Sequence, residues 1–229
     1  MIALKPTKNK IIVTVLGLVL FLFFLNITGI LKVYTLSTNT MEPNSKKGAK
    51  MLVTNIIKPR KNDIVVFDSD NEFFGKQTNV FRLIGVPNDT IKMINGNLFR
   101  NGEKVTDIKI AKLYKLSRNE YYHLINKGIV IKDYNIAKTI EDTLLLFLPE
   151  KVAKSFDLTD RGFTLSYNYT DNVIKQVYNQ NWNKDFFGPL AISPEKYFVL
   201  GDNRDNSNDS RFIGLIDKKH IKGVVIFKW

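Results

Sequence analysis

Residues 201–211 are the stretch of this 229-residue chain that is best suited to chemistry. They read Gly-Asp-Asn-Arg-Asp-Asn-Ser-Asn-Asp-Ser-Arg, which brings carboxylates, amides, hydroxyls and guanidinium groups together without one apolar side chain. A loop of this kind folds only if its polar groups satisfy one another, so we expect Asp209 to form a bidentate ion pair with Arg211. The plainer alternative is a solvated turn rich in asparagine and aspartate.

The rest of the composition limits what such a loop could support. Cysteine is absent, which excludes disulfides, thiolate zinc sites and a cysteine nucleophile. The chain has two histidines, His123 and His220, which are too few to suggest a metal centre. We therefore expect neither a metal nor a cofactor.

Short strands and tight turns are predicted to position this loop. Residues 197–200 are apolar and favour a strand that leads directly into it. Residues 90–100 predict a hairpin around Asn95-Gly96-Asn97. Further strands are predicted at residues 51–57, 64–67, 80–85 and 221–229.

Residues 104–186 interrupt this pattern of strands. Within them, residues 139–156 are compatible with a helix, and residues 163–169 favour a strand. We interpret the stretch as an α+β insertion that splits an all-β core into two halves.

The N-terminal segment differs from the rest of the chain. Lys5, Lys8 and Lys10 precede residues 11–31, an uncharged run of about the 20 residues that a bilayer core requires. A signal peptide would have a shorter apolar region and a cleavage site flanked by small residues. An uncleaved transmembrane anchor is therefore the better interpretation, and the lysines in front of it predict a cytoplasmic N-terminus.

The formal net charge of +12 raises the question of nucleic-acid binding. The lysines are scattered, and the sequence has neither a basic helix nor an aromatic RNA-binding signature. We therefore expect no nucleic acid as a partner. A basic surface on an anchored domain could meet anionic lipid headgroups, and it could equally serve solubility.

Four segments in this order resemble the type I signal peptidases, membrane-bound serine endopeptidases of the Ser/Lys kind. They are residues 38–43 (Thr-Asn-Thr-Met-Glu-Pro), 62–67 (Asn-Asp-Ile-Val-Val-Phe), 81–89 (Phe-Arg-Leu-Ile-Gly-Val-Pro-Asn-Asp) and the 201–211 loop. Together with the anchor they cover both ends of the chain and leave the insertion unmatched.

The resemblance implies a catalytic dyad, and this chain departs from it at both reacting positions. In the family a serine just before Met-x-Pro attacks the peptide carbonyl, and a buried lysine just before the arginine of the third segment takes its proton. Thr40 stands at the serine position, and Phe81 stands at the lysine position. Thr38 keeps the hydroxyl of the oxyanion hole, and Ser207 keeps the hydroxyl that orients the lysine.

The resemblance also assigns supporting and substrate-binding roles. Residues that would support the site are Arg82, Asp202, Asp209 and Arg211. Residues that would line the substrate groove are Asn39, Met41 and Pro43, with residues 80–83 on the other side, where the substrate would lie extended as an added strand.

Three other residues are candidates to substitute for the missing groups. Lys76 lies five residues before Phe81 and could fold back to act as a base, although a surface lysine is far commoner. His220 follows the last loop and could reach a nearby surface. Ser37 is a possible alternative hydroxyl, but on an extended strand it would point to the other face.

The fold class that we predict is mainly β, a coiled antiparallel catalytic core of the signal peptidase type with an α+β insertion and one N-terminal transmembrane helix. The predicted boundaries are a cytoplasmic tip and anchor at 1–32, the core at 33–103 and 187–229, and the insertion at 104–186. The protein would cross the cell membrane once, with its catalytic domain on the outer side.

The resemblance implies cleavage of the N-terminal signal peptides of secreted preproteins. The alternative is a catalytically impaired relative that binds signal peptides or partners an active paralogue. Whether the chain is an enzyme therefore stays open at this point. A third hypothesis, a basic membrane-surface binder unrelated to proteolysis, leaves the order of residues 201–211 unexplained.

Overall fold

The structure is a computed structural model that describes residues 8–229. Its first element is an apolar helix, α1 (Lys8–Ile27), with a mean hydropathy of 2.5 and no buried side chain. Within the described residues it is the one helix long and apolar enough to cross a membrane. It ends four residues before the uncharged run does, because the chain turns at Gly29, which has a φ of 73°. Lys5 lies outside the described residues.

Most of the remaining chain is strand. The strands are β1 (Lys32–Thr35), β2 (Lys50–Thr54), β3 (Ile64–Asn71), β4 (Gly75–Gly85), β5 (Thr90–Ile94), β6 (Asn97–Arg100), β7 (Glu103–Lys104), β8 (Ala111–Ser117), β9 (Ile136–Ile140), β10 (Thr143–Pro149), β11 (Phe187–Ala191), β12 (Lys196–Leu200), β13 (Ile216–Asp217) and β14 (Ile221–Lys228). The helices after α1 are α2 (Arg118–Asn126), α3 (Glu150–Ser155), α4 (Asn172–Tyr178) and α5 (Ser210–Ile213).

Three antiparallel sheets organise these strands. The largest has the order β1-β2-β14-β3-β4-β12-β13, and a smaller one has the order β11-β5-β6-β7. A third sheet, β8-β10-β9, lies in the middle of the chain. The prediction of a mainly β, antiparallel fold with an N-terminal apolar helix is confirmed.

The hairpin β3–β4 is the centre of the large sheet. Its register pairs Val65 with Phe81 and Asn71 with Gly75. Residues 64–67 are buried on both faces of the strand, as their continuous apolar sequence predicts. Strand β12 pairs with β4 only over residues 82–85. The second edge of residues 75–81 is therefore left without a neighbouring strand among the described residues.

The middle of the chain forms a separate core of its own. Buried residues from β8, β10 and the helices around them pack together there: Tyr114, Leu116, Leu124, Leu144, Leu146, Leu148, Ala153 and Leu158. The domain boundaries stay a prediction, but this cluster draws all its buried residues from within 104–186.

Two expectations for this region were wrong in their secondary structure. Residues 143–149 are a strand rather than part of a helix, and the buried residues Leu144, Leu146 and Leu148 alternate with half-buried ones. A helix would have buried positions three and four apart. Residues 163–169 form no strand, and the backbone there is held by bonds such as Phe163 N to Leu113 O, at 2.8 Å.

Candidate active site

The 201–211 loop is built around the buried ion pair that its composition predicts. Arg211 donates from Nε to Asp209 Oδ1 and from NH2 to Asp209 Oδ2, both at 2.8 Å. Both side chains are at most 1% exposed. Burial alone would lower the pKa of Arg211, but the charge and hydrogen bonds of Asp209 outweigh it and raise that pKa. The guanidinium also donates to the backbone carbonyl of Arg204. The Asp209–Arg211 ion pair therefore holds the middle of the loop, at Arg204, against its end.

The same loop holds the backbone of Thr40. The carbonyl oxygen of Thr40 accepts from Asn203 N at 2.9 Å and from the Ser207 hydroxyl at 3.2 Å. The Ser207 hydroxyl also lies 2.7 Å from Asn203 O. Ser207 is therefore placed beside the nucleophile position, and its hydroxyl contacts backbone carbonyls.

Gly201 permits this close approach. A Cβ atom at this position would lie 1.8 Å from Ser207 Oγ and 2.9 Å from Thr40 O. We expect Gly201→Ala to lower the free energy of unfolding by about 1–3 kcal/mol, because the loop must shift to relieve the overlap. Thermal unfolding of the detergent-solubilised chain measures this. Gly162→Ala is the matched control, since its Cβ would meet its nearest neighbour at 3.4 Å. Equal melting temperatures for the two variants would contradict the account.

A second ion pair joins the loop to β4. Arg82 donates from Nε to Asp202 Oδ1 at 2.8 Å and from NH2 to Asp202 Oδ2 at 2.6 Å. Asn44 Nδ2 donates to the same carboxylate at 2.7 Å. Asp202 thereby ties together β4, the loop and the segment that follows Thr40.

Thr40 and Ser207 lie in the lining of a groove of about 650 Å³. Its lining includes residues 34–40, residues 77–81 of β4 and residues 204–208 of the loop. Thr40, Phe81, Thr38 and Ser207 all line it. Inside it, the Thr38 and Thr40 hydroxyls lie 2.9 Å apart, within hydrogen-bond distance.

Phe81 occupies its side of the groove with an apolar ring. The side chain is 3% exposed and belongs to the main core cluster, where its ring lies 6.0 Å from that of Phe67. A phenyl ring accepts no proton, and the neighbouring Arg82 guanidinium is engaged by Asp202 and does not deprotonate in proteins. The position at which the resemblance implies a lysine therefore carries no base.

The candidate substitutes do not supply a general base either. Lys76 lies across from Asp70 near the tip of the β3–β4 hairpin and is not among the residues that line the groove. His220 is about half exposed in a short turn, with Nδ1 4.0 Å from Asp217. Ser37, which we expected on the opposite face, does line the groove.

The predicted substrate groove needs a correction. Asn39 lines it, but Met41 is fully buried in the main core cluster, and Pro43 lines a different cleft beside the insertion. The reason is a turn directly after Thr40, in which Glu42 N donates to Asn39 O at 3.2 Å. The turn directs Met41 inward and takes Pro43 away from the groove.

Lys184 is a groove residue that the sequence did not indicate. It comes from the end of the insertion, and its ammonium donates to Asp185 at 2.7 Å and to Asp205 at 2.5 Å. An isolated lysine between an asparagine and an aspartate carries no local signal, so its place depends on the tertiary fold. Engaged by two carboxylates, it anchors the loop from the insertion side.

Comparisons with known proteins extend the resemblance to the whole described chain. The family model described as signal peptidase, peptidase S26, matches residues 8–229. Signal peptidase I P of Bacillus subtilis subsp. natto is 30% identical over 227 residues, which cover 96% of this chain and 89% of that protein. Signal peptidase IB of Staphylococcus aureus (strain COL) is 28% identical over 230 residues, with coverage of 97% and 91%. A crystal structure of a signal peptidase I from Enterococcus faecalis V583 covers 75% of this chain and 99% of its own, with 22% identity and a TM-score of 0.37.

Proposed function

Because the chain belongs to the signal peptidase family, peptidase S26, we propose that it processes secreted preproteins by cleaving their N-terminal signal peptides. One observation carries the proposal for this chain: the second edge of β4 at residues 75–81 has no neighbouring strand among residues 8–229, and residues 77–81 border the groove that contains Thr40. An extended peptide can add to such an edge through its backbone. Its carbonyl groups would then pass beside the Thr38 and Thr40 hydroxyls.

The chemistry that we assign to the groove uses hydroxyl groups. The Thr40 hydroxyl would attack the scissile carbonyl and lose its proton to solvent water, while the Thr38 hydroxyl would donate to the oxyanion that develops. Collapse of this intermediate would break the C–N bond and release the amine of the mature chain, protonated by water. A second water would then hydrolyse the ester on Thr40 and free the signal peptide. Ser207, Arg82, Asp202, Asp209 and Arg211 would hold the loop and the backbone of Thr40 in place. The β-methyl of threonine restricts χ1 and crowds the approach of the carbonyl, so a slow reaction is expected.

The proposal places the reaction at the membrane surface. Helix α1 would cross the bilayer once with its N-terminus in the cytoplasm, and the groove would face the outer side. The Asn55 side chain donates to Thr28 O at 2.9 Å, which connects the end of the helix to β2 of the core sheet. Preproteins emerging through the membrane would therefore meet the groove close to the lipid.

A second candidate function rests on Phe81. Since the dyad position carries no base, the groove could bind signal peptides without cutting them, alone or beside an active paralogue. Binding in this case would use the same edge of β4. This second function therefore predicts the same contacts with the peptide as the peptidase function and differs from it only in the absence of cleavage.

Site-specific crosslinking combined with a cleavage assay tests both functions. We expect p-benzoylphenylalanine in place of Gln77, which lines the groove, to crosslink to the signal peptide of a preprotein. The same group in place of Lys138, exposed on β9, is the control and is expected to give no crosslink. Cleavage that is lost in Thr40→Ala supports the peptidase, and crosslinking without cleavage supports the binding function. Absence of any Gln77-specific crosslink would contradict both.

A further inference from the structure

A cavity of about 90 Å³ lies between residues 96–98, the 104–112 segment, α3 and Arg204 of the 201–211 loop. Four basic residues are among those that line it: Lys104, Lys112, Lys154 and Arg204. Within the described part of the chain, Glu150 is the one acidic residue that lines the cavity. The cavity is therefore small, and the charged part of its lining is predominantly positive.

Arg204 is the most deeply buried of these cations. It is 4% exposed, and its side chain makes one hydrogen bond among residues 8–229, from Nε to Gly201 O at 3.1 Å. Within those residues no carboxylate lies within 4.0 Å of it. The aspartates nearest in the loop are engaged elsewhere, Asp202 by Arg82 and Asp209 by Arg211. A buried guanidinium without a counter-ion is uncommon, because buried charges are normally paired.

Lys112 adds a second poorly compensated charge to the same cavity. Its ammonium is 3.7 Å from Glu150, and that carboxylate is also 3.9 Å from Lys154. Two other carboxylates in the vicinity, Asp185 and Asp205, are bound to Lys184. One acidic group is thus shared between two lysines.

The pKa values of Lys112 and Arg204 are both lowered, in agreement with this geometry. Burial lowers the pKa of Lys112, and the charge of Arg204 adds to the effect while Glu150 opposes it. Burial and the neighbouring Arg211 lower the pKa of Arg204 to about 10. Both side chains line the same cavity, so an anion bound there would offset their combined positive charge.

We propose that this cavity binds a small tetrahedral oxyanion, such as inorganic phosphate or sulfate, through Arg204 and Lys112. Guanidinium and ammonium groups are the strongest side-chain donors for such anions. The volume of about 90 Å³ suits one tetrahedral ion and is well below the roughly 300–1,000 Å³ of pockets that hold larger small molecules.

A bound oxyanion would connect the insertion to the catalytic loop. Lys112 belongs to β8, whereas Arg204 belongs to the loop and its backbone N–H donates to Ala111 O at 2.9 Å. The preceding residue, Asn203, donates to the carbonyl of Thr40. Neutralising the cavity would therefore stabilise the segment that holds the nucleophile position, whatever reaction the groove performs.

Calorimetric titration of the full-length, detergent-solubilised chain tests the site. The ligands are sodium phosphate and sodium sulfate, with sodium chloride at equal ionic strength as the reference. We expect saturable one-to-one binding of both oxyanions and a melting temperature that rises with their concentration but not with chloride. O-Phosphoethanolamine, titrated in parallel, identifies the source: binding of it supports a site for phosphate esters, and its exclusion supports a site for the free ion.

Matched variants decide whether the binding is at this cavity. Lys112→Gln is expected to weaken phosphate binding by about tenfold, since it removes one charged donor. Lys115→Gln changes an exposed lysine on the same strand and is expected to leave binding unchanged. Arg204→Gln is a second variant, with circular dichroism to verify its fold. The proposal would be overturned if the heats of phosphate titration did not saturate, or if Lys112→Gln and Lys115→Gln bound phosphate with equal affinity. The cavity would then hold only water.

Discussion

The Thr40→Ser/Phe81→Lys double variant is expected to cleave a preprotein about 10²–10⁴ times faster than the parent chain, because it restores a nucleophile together with its general base. The hydroxyl groups that the resemblance assigns to the site are already close to Thr40. Ser207 lies against the backbone of Thr40, and the Thr38 hydroxyl is 2.9 Å from that of Thr40. A preprotein cleavage assay with the detergent-solubilised chain measures the gain.

The expected gain depends on where residue 81 lies. Its side chain is 3% exposed at the wall of the groove, and burial of a lysine there would push its pKa below the ordinary value of about 10.4. Such a lysine is a free amine over part of the neutral range and can accept the proton of the serine. The cleavage rate should therefore rise with pH through the lowered lysine pKa.

Single and matched substitutions separate this account from simpler ones. Thr40→Ser and Phe81→Lys alone are expected to recover little activity, since nucleophile and base act as a unit. Thr40→Ser/Phe81→Met keeps an unbranched side chain at position 81 without an amine and should stay as slow as Thr40→Ser. Full activity in Thr40→Ser alone would show that the base lies elsewhere in the groove.

Local chemistry was enough to predict the ion pair inside the 201–211 loop. Asp209 and Arg211 are two residues apart in a stretch without apolar side chains, so they could satisfy each other wherever the loop lay, and the structure confirms their pair. The strand at residues 64–67 could also be predicted from local sequence alone, because four consecutive apolar residues that include β-branched ones predict a buried strand. The same reasoning could not place Met41, whose direction depends on the turn between Asn39 and Glu42.

Other parts of the site depend on contacts between distant segments. The continuous apolar run at 144–148 has no period that separates strand from helix, and leucine itself favours helix. Only its pairing with β8 and β9 makes it a strand. The position of Lys184 beside Asp205, and of Arg204 in the same cavity as Lys112, likewise results from the docking of residues 104–186 against the loop. No local pattern in the sequence carries that information.

Removing Asp209 is expected to destabilise the fold more than any surface change. Asp209→Ala should lower the free energy of unfolding by about 3–5 kcal/mol, because it leaves the Arg211 charge buried and unpaired. The carboxylate also accepts from Gly201 N at 3.0 Å, so its loss frees the start of the loop as well. In a chain of this size the melting temperature should fall by about 2–4 °C per kcal/mol, which thermal unfolding in detergent would detect.

Two comparisons make that prediction specific to the buried pair. Arg118→Ala removes a partner of the exposed ion pair with Asp142, whose carboxylate side chain is 95% exposed, and should cost about 1 kcal/mol or less. Asp209→Ala/Arg211→Met removes both buried charges and should be less damaging than Asp209→Ala alone, since no unpaired charge remains. A double variant as unstable as the sum of its single variants would mean that Asp209 acts through its backbone contacts rather than through Arg211.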